Sequence, residues 1–394
     1  MRRIFYRCFQ KIMYLLSFFM PFKEPKVMYH IEEVSKILAN HHKHQIFIAT
    51  DAFLAETSSF KSMMNHIQDR GMNTSVFSKT MPNPSIELIE EAYRQYRDNN
   101  CDAIIAYGGG SVMDLAKVVG ARVVKPKLKI ERMKGILKVR RKLPLLIAIP
   151  STVGTGSEAT AAAVVSNPMT SDKYAIMDPV LIPNYAILDV EVVKSLPKHL
   201  IAETGMDTLT HAIEAYIGKA NTSQTKKYAL EAIRIVFNDL EKAYQGDLEA
   251  LKNMQIGAYK AGVAFTRAYV GNVHAIAHQL TAYYQLPHGY SNGVILPHVL
   301  RYYGDSIKRQ LREIQSVVSP NDIGHNLNPK KDLIDLIDDL KKSLKIDDCF
   351  HQIIKQSDIE DIVKKAYKEA NPLYPVPRIF NKNDFYQIID MIDQ

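Results

Sequence analysis

Between about Gln45 and Val190 the sequence alternates short apolar runs with amphipathic stretches, and this alternation limits the possible folds more than any other feature. Four runs, QIFIAT, TSVFS, DAIIAY and LLIAIP, have the length and the β-branched or apolar content of buried strands. The stretch from Ser85 to Asn99 has the period of an amphipathic helix. This pattern predicts a mostly parallel sheet with helices on both faces, whose ligands bind beyond the carboxyl ends of the strands.

The pattern changes after Leu196, where apolar residues recur with a helical period as far as Gln394. A chain of 394 residues is longer than a single core usually supports, so we expect two domains. We predict an α/β domain over residues 25–189 and an all-helical domain over residues 190–394. Residues 1–24 form a separate N-terminal extension in this interpretation.

Cysteine is scarce, with Cys8, Cys101 and Cys349 in no paired spacing. This usage is typical of a reducing compartment, so we expect a cytoplasmic protein without disulfides or a thiolate metal site. Any metal ion must therefore be held by His, Asp or Glu.

A glycine-rich turn follows the third apolar run, in the segment DAIIAYGGGSVMDLAK over residues 102–117. Small residues let the backbone approach a ligand closely, and the helix that opens at Ser111 offers amide donors to a phosphate. The turn lacks the usual G-x-G-x-x-G spacing, and tight strand-to-helix packing is the alternative explanation.

A second turn of this kind follows the fourth run, in IAIPSTVGTGSEAT, where hydroxyl residues such as Thr152 and Thr155 surround two glycines. Hydroxyls and free amides suit phosphate and ribose oxygens. Asp51 follows the first run, where a carboxylate binds a ribose 2′-hydroxyl and repels a 2′-phosphate. This favours NAD over NADP, although Asp51 could equally serve as a helix N-cap.

The segment HAIAHQLTAYYQLPHG places His274 and His278 four residues apart, and His288 follows a turn at Pro287. If the segment is helical, the first two rings leave the same face. A single histidine is more often structural than a metal ligand, so the cluster needs partners from elsewhere in the chain.

The segment GMDTLTHAIEAY supplies such partners, because Asp207 and His211 are also four residues apart. With His274 and His288 they form a set of one oxygen and three nitrogen donors. This set suits iron(II) or zinc with coordination positions left for a substrate oxygen.

Together the segments GGGSVMDLAK, PSTVGTGSEAT, GMDTLTHAIEAY and HAIAHQLTAYYQLPHGYSNGVILPH resemble the iron-containing, or group III, alcohol dehydrogenase family from about Pro25 onward. The resemblance implies a Rossmann-like dinucleotide-binding domain and a helical domain that carries the metal. By resemblance the metal ligands are Asp207, His211, His274 and His288, and His278 is a catalytic residue near the substrate and nicotinamide. The matching cofactor-binding positions are Asp51, Asn83, Gly109, Gly110, Ser111, Asp114, Thr152, Thr155 and Lys173.

The resemblance implies a dehydrogenase that interconverts a small alcohol and an aldehyde, with NAD (or NADP) and iron(II) (or zinc), and with no nucleic-acid partner. One alternative is another polyol oxidoreductase on the same scaffold, such as a glycerol dehydrogenase. Another is a membrane-associated binding protein without turnover. Gln279, Thr281 and Tyr269 depart from the residues common in the family, and they leave the substrate undetermined.

Two basic segments lie outside this resemblance. Arg3, Arg7 and Lys11 form one stripe of an amphipathic helix that ends by Pro21, and it is too short and too charged to span a bilayer. The net charge of +8 is concentrated in residues 125–142, with nine basic residues against one Glu. We expect either peripheral contact with an anionic membrane through residues 1–21 and 125–142, or a helix packed in a homo-oligomer and a solvated basic hairpin.

Overall fold

The computed structural model describes residues 2–167, 172–318 and 331–394. The chain divides into two compact units, one of residues 21–196 and one that combines residues 1–20 with residues 197–394. The parts of the predicted domains that fall on residues 168–171 and 319–330 lie outside the described residues.

The first unit is built on a six-stranded parallel sheet. Its strands are β1 (Lys26–Met28), β2 (Gln45–Ala49), β3 (Asn73–Phe77), β4 (Ala103–Gly108), β6 (Leu145–Pro150) and β9 (Tyr185–Ile187). They lie in the order β1-β9-β6-β4-β2-β3. The four predicted runs form β2, β3, β4 and β6, which confirms the α/β class for this part of the chain.

Apolar cores lie on both faces of this sheet. Because successive side chains of a strand point to opposite faces, Ile104 of β4 joins one core, while Ile105 and Tyr107 join the other. All six residues of β4 are buried, as expected for a central parallel strand. The helices of this unit are α2 (Glu33–Asn40), α3 (Ser58–Gln68), α4 (Ile86–Asp98), α5 (Gly110–Val124) and α6 (Val190–Val193).

A smaller sheet accompanies the main one, with β8 (Asp172–Met177) paired antiparallel to β7 (Ala162–Asn167) and parallel to β5 (Gly135–Ile136). The hairpin that was one alternative for residues 125–142 is not formed, because β5 pairs with β8 and no strands within the segment pair with each other. Buried apolar residues between the lysines hold the segment against the core, and the Asp178 carboxylate accepts hydrogen bonds from the Val139 and Arg140 amides.

Among its described residues, the second unit consists of helices joined by loops. Its helices are α1 (Arg2–Ser17), α7 (Lys198–Ile217), α8 (Ser223–Gln245), α9 (Leu248–Ala268), α10 (Asn272–Tyr284), α11 (His288–Tyr303), α12 (Lys308–Val318), α13 (Leu333–Ser343), α14 (Gln356–Ala370) and α15 (Lys382–Ile392). Almost every residue of α7 from Gly205 onward is buried, so this helix is the centre of the unit. Within the described ranges, no helix is long and apolar enough to cross a bilayer.

Candidate active site

Three helices of the second unit bring the predicted metal ligands together. On α7, Asp207 and His211 share a face, while His274 projects from α10 and His288 begins α11. The approach of α11 to α7 requires glycine at position 289, because a Cβ there would lie 2.2 Å from the Glu203 carbonyl oxygen.

Asp207, His274 and His288 each direct one ligand atom to a common point, and these atoms lie within 4.8 Å of one another. The distance to Asp207 Oδ1 is 3.8 Å from His274 Nε2 and 3.7 Å from His288 Nε2. Two ligand atoms at about 2.1 Å from a tetrahedral ion are roughly 3.4 Å apart, so the group has the dimensions of a divalent-ion site.

The side-chain amide of Asn292 lies among these three atoms. Its Nδ2 is 2.7 Å from Asp207 Oδ1 and 3.2 Å from Nε2 of both His274 and His288. A primary amide has two hydrogens, fewer than the three ligand atoms that converge on it. The group therefore fits a cation, which can interact with all three lone pairs at once.

Glu214 determines which nitrogen His274 presents to this group. The buried Glu214 carboxylate accepts from His274 Nδ1 at 2.7 Å and from the amides of Gly271 and Val273 at 2.7 and 2.8 Å. With its proton on Nδ1, His274 carries the lone pair on Nε2, the atom that faces Asp207. Burial also lowers the pKa of His274 well below its usual value, which keeps the ring neutral as metal binding requires.

Burial raises the pKa of Asp207 to about 7. Its side chain accepts a hydrogen bond from Asn292, which favours the charged form but does not offset the loss of solvent. A bound cation would stabilise the charged form of this buried carboxylate.

His211 lies beside this group but is not one of its three members. Its Nδ1 is 3.7 Å from Asp207 Oδ1, and its ring stacks on Phe265 at 4.1 Å and on His274 at 4.5 Å between centroids. Its role as a fourth ligand remains a prediction.

His278 also lies outside the group. Its Nδ1 is 2.5 Å from Oε1 of Glu369 on α14, and its ring stacks on His288 with centroids 5.0 Å apart. The same Glu369 carboxylate accepts from Gln279 Nε2 and from the Tyr374 hydroxyl, each at 2.8 Å. The glutamine that departs from the family pattern therefore helps to hold the partner of His278.

We expect Glu214→Ala to weaken metal binding by about 10- to 100-fold, because His274 loses the acceptor that orients it. Competition with a chromophoric chelator measures the affinity. Glu231→Ala is the matched control, since the Glu231 carboxylate on α8 pairs with Lys260 on α9 rather than with a histidine. An affinity of Glu214→Ala equal to that of the control would contradict this role.

The predicted cofactor loops contact each other in the α/β unit. A Cβ on Gly109 would lie 3.2 Å from Thr152 Cγ2, and one on Gly110 would lie 3.3 Å from Thr155 Cγ2. Gly109 is the N-cap of α5 and has no side chain to bond the first amides of the helix. The buried Thr152 hydroxyl has no hydrogen-bond partner among the described residues, so the loops fit a polar ligand.

Three further residues predicted to bind the cofactor lie close together. The Asn83 amide donates to the Ser111 hydroxyl at 3.2 Å, and Lys173 Nζ donates to Asn83 Oδ1 at 2.7 Å. Asn83 has a φ of 55°, a conformation that asparagine tolerates better than most residues. Lys173 thus brings a positive charge beside the start of α5.

Asp114 lies on the side of α5 that faces the second loop, where it accepts from the Ser157 hydroxyl at 3.4 Å. Burial raises its pKa, and the nearby Lys117 opposes this shift. Lys117 is itself fully buried and donates to the Ser157 carbonyl at 2.7 Å and the Thr160 hydroxyl at 2.8 Å. This lysine, which the sequence did not single out, fixes the second loop to α5.

Asp51 caps the turn that follows β2, because its Oδ1 accepts from the Leu54 amide at 2.8 Å. The capping interpretation therefore has direct support. Binding of a ribose hydroxyl by this carboxylate stays a prediction.

Three residues near the candidate metal site were not predicted from the sequence. Glu214 lies seven residues after Asp207, and Asn292 lies four residues after His288, so helical spacing could have indicated both. Glu369 lies 91 residues from His278, and no local pattern indicates their contact.

A parallel α/β unit with two glycine-containing turns and a helical unit with a carboxylate–imidazole group define a metal-dependent oxidoreductase. Residues 27–190 match the model of the iron-containing alcohol dehydrogenases, and residues 201–392 match the C-terminal model of the same family. The chain belongs to the iron-containing alcohol dehydrogenase family.

Relatives across this family act on different alcohols. The NAD-dependent methanol dehydrogenase of Bacillus methanolicus is 32% identical over 91% of this chain and 95% of its own. The NADPH-dependent butanol dehydrogenase of Clostridium saccharobutylicum is 31% identical over 84% and 86% of the two chains. The solved alcohol dehydrogenase from Oenococcus oeni has a TM-score of 0.89 at 28% identity, covering 95% of this chain and all of that one.

Proposed function

We propose that this chain is an alcohol dehydrogenase and aldehyde reductase that uses NAD(H) and a divalent metal ion, iron(II) or zinc. Asp207, His274 and His288 hold the ion, with His211 as a fourth ligand. The observation that carries the proposal is that three ligand atoms, from the buried Asp207 and His274 and the partly buried His288, lie within 4.8 Å of one another. A small alcohol or aldehyde is the substrate.

When bound, the metal ion would stabilise negative charge on the substrate oxygen, and a bound nicotinamide would supply the hydride acceptor or donor. Asp207 and the neutral imidazoles would hold the ion, and Glu214 orients His274. His278 donates its Nδ1 proton to the hydrogen bond with Glu369, so its Nε2 carries the lone pair that accepts a proton in alcohol oxidation. No covalent nucleophile is needed.

The test is the NADH absorbance change with a panel of short alcohols and aldehydes, after anaerobic loading with iron(II) or zinc. We expect turnover that is lost on chelation and restored by the metal. Turnover that survives complete chelation would contradict a metal-dependent mechanism.

We further propose that NAD is preferred over NADP because of the charge on Asp51. Asp51→Asn keeps an oxygen that can cap the turn at Leu54 but removes the charge. We expect it to raise kcat/KM for NADP about tenfold, a change of about 1.4 kcal/mol, with little effect on folding. Asp51→Gly loses both the cap and the charge and serves as the comparison. Equal kcat/KM for the two cofactors in the unaltered enzyme would contradict the preference.

Assembly into a homo-oligomer and a cytoplasmic location stay predictions from the sequence. Sedimentation velocity of the purified chain measures the first.

A further inference from the structure

The N-terminal helix α1 is attached to the helical unit by its polar side. Arg7 donates from its guanidinium to the carbonyls of Val376 and Pro377 at 2.7 and 2.9 Å. Gln10 donates from Nε2 to the Pro372 and Tyr374 carbonyls at 3.0 and 2.7 Å. Gln10 is buried, and the polar face of α1 packs against residues 372–377, which follow α14.

The opposite side of α1 and the turn after it are apolar and exposed. Among the described residues, seven of the thirteen exposed large apolar side chains belong to residues 4–19. These seven are Ile4 (70% exposed), Phe5 (62%), Ile12 (56%), Leu15 (55%), Leu16 (49%), Phe18 (54%) and Phe19 (86%). An apolar surface concentrated in this way marks a contact with a partner or a membrane.

Positive charge flanks this apolar surface. At 3.6 residues per turn, Ile4 and Leu16 are about 120° apart around the helix, and Lys11 and Arg2 lie just beyond them at the two edges. Both basic residues are exposed, as is Arg3. The sequence of α1, RRIFYRCFQKIMYLLS, contains no acidic residue.

The charges distinguish a lipid surface from a second copy of the chain. A contact between two copies of this face would place Arg2 and Lys11 of both helices in one interface, with no carboxylate on either helix to offset their charges. Anionic phospholipid supplies negative charge at the edges and an acyl region for the apolar side chains. The apolar side already faces outward while the polar side is bonded to the protein, so membrane contact needs no rearrangement of α1.

We propose that α1 lies in the interfacial region of a membrane containing anionic phospholipid and holds the enzyme there reversibly. Its apolar side chains enter the boundary between headgroups and acyl chains, and Arg2 and Lys11 at the edges of the apolar face contact lipid phosphates. The proposal rests on α1 alone and does not depend on the basic segment 125–142.

Co-sedimentation of the full chain with vesicles tests this proposal. Vesicles of phosphatidylglycerol with phosphatidylcholine are compared with phosphatidylcholine alone, at low and high salt. We expect binding to the anionic vesicles that weakens as salt rises, because salt screens the exposed charges. Absence of binding to anionic vesicles at low salt would overturn the proposal.

Two variants separate the apolar and the charge contributions. Replacing Phe5, Ile12 and Leu16 with serine leaves the Arg7 and Gln10 bonds in place and should weaken binding at least about tenfold. Replacing Arg2 and Lys11 with glutamine should weaken binding to anionic vesicles about tenfold or more.

The control exchanges Leu248 and Ile353 for serine, since both are exposed apolar residues of the same unit outside α1. It should bind vesicles like the unaltered chain.

If the apolar variant binds vesicles as well as this control does, the proposal is wrong. If it instead dissociates into smaller oligomers while the unaltered chain fails to bind vesicles, a second copy covers the face. Dehydrogenase turnover should be unchanged in all variants, which separates this proposal from that of the catalytic function.

Discussion

Asp207→Ala and His274→Ala are each expected to leave the protein without metal and without measurable turnover. Each substitution removes one of the three atoms that converge within 4.8 Å, and each leaves the remaining buried polar groups unbalanced. After anaerobic loading with iron(II) or zinc and removal of excess ion, we expect less than about a tenth of the metal content of the unaltered enzyme.

The control for these variants is His199→Ala. His199 is an exposed histidine at the start of α7, the helix that carries Asp207. It should bind metal and turn over normally. Thermal unfolding of the metal-free proteins separates loss of a ligand from loss of the fold. Full metal content in a folded Asp207→Ala protein would show that the ion is held elsewhere.

His278→Ala is expected to lower kcat by at least about 100-fold while the metal stays bound, because the variant loses the group that we propose exchanges a proton with the substrate oxygen. Glu369→Gln should give a smaller loss, since an amide can still hold the ring through its oxygen but cannot stabilise an imidazolium. Steady-state kinetics with a short alcohol measure both. We expect the effect in kcat and little change in KM for NAD, and a normal kcat in His278→Ala would contradict the proton-transfer role.

The predicted parallel sheet and its helices follow from patterns within each segment. The runs that became β2, β4 and β6 are apolar in their central residues, as is typical of strands buried on both faces, and the observed strands match them closely. The family resemblance is confirmed by matches over residues 27–190 and 201–392. These features could be predicted because each depends on a short stretch of sequence.

Contacts between segments that are distant in the chain could not be predicted from the sequence. The pairing of β5 with β8 joins residues about forty positions apart. The sequence between Lys125 and Lys142 does not show this pairing, and a solvated hairpin was therefore one alternative for the segment. The contact of His278 with Glu369 likewise joins α10 to α14. A periodic pattern identifies the residues on one face of a helix but not what that face will meet.

The N-terminal helix shows this limit most clearly. Its amphipathic pattern separated a basic stripe from an apolar face, and burial of the apolar face would be the usual expectation. In the structure the surface it meets is a row of backbone carbonyls from residues 372–377, which need donors. Arg7 and Gln10 supply them, and the apolar face remains outside.

Metal content of His274→Ala and His278→Ala, loaded side by side with iron(II) or zinc under anaerobic conditions, tests the assignment of the active site most directly. The two histidines lie one helical turn apart on α10. The two variants therefore remove the same type of side chain from the same helix, one from the group of ligand atoms and the other from the hydrogen bond with Glu369. We expect His274→Ala to retain almost no metal and His278→Ala to retain as much as the unaltered enzyme. Equal loss of metal from both variants, or retention of metal by His274→Ala, would contradict the division between metal ligand and proton-transfer residue.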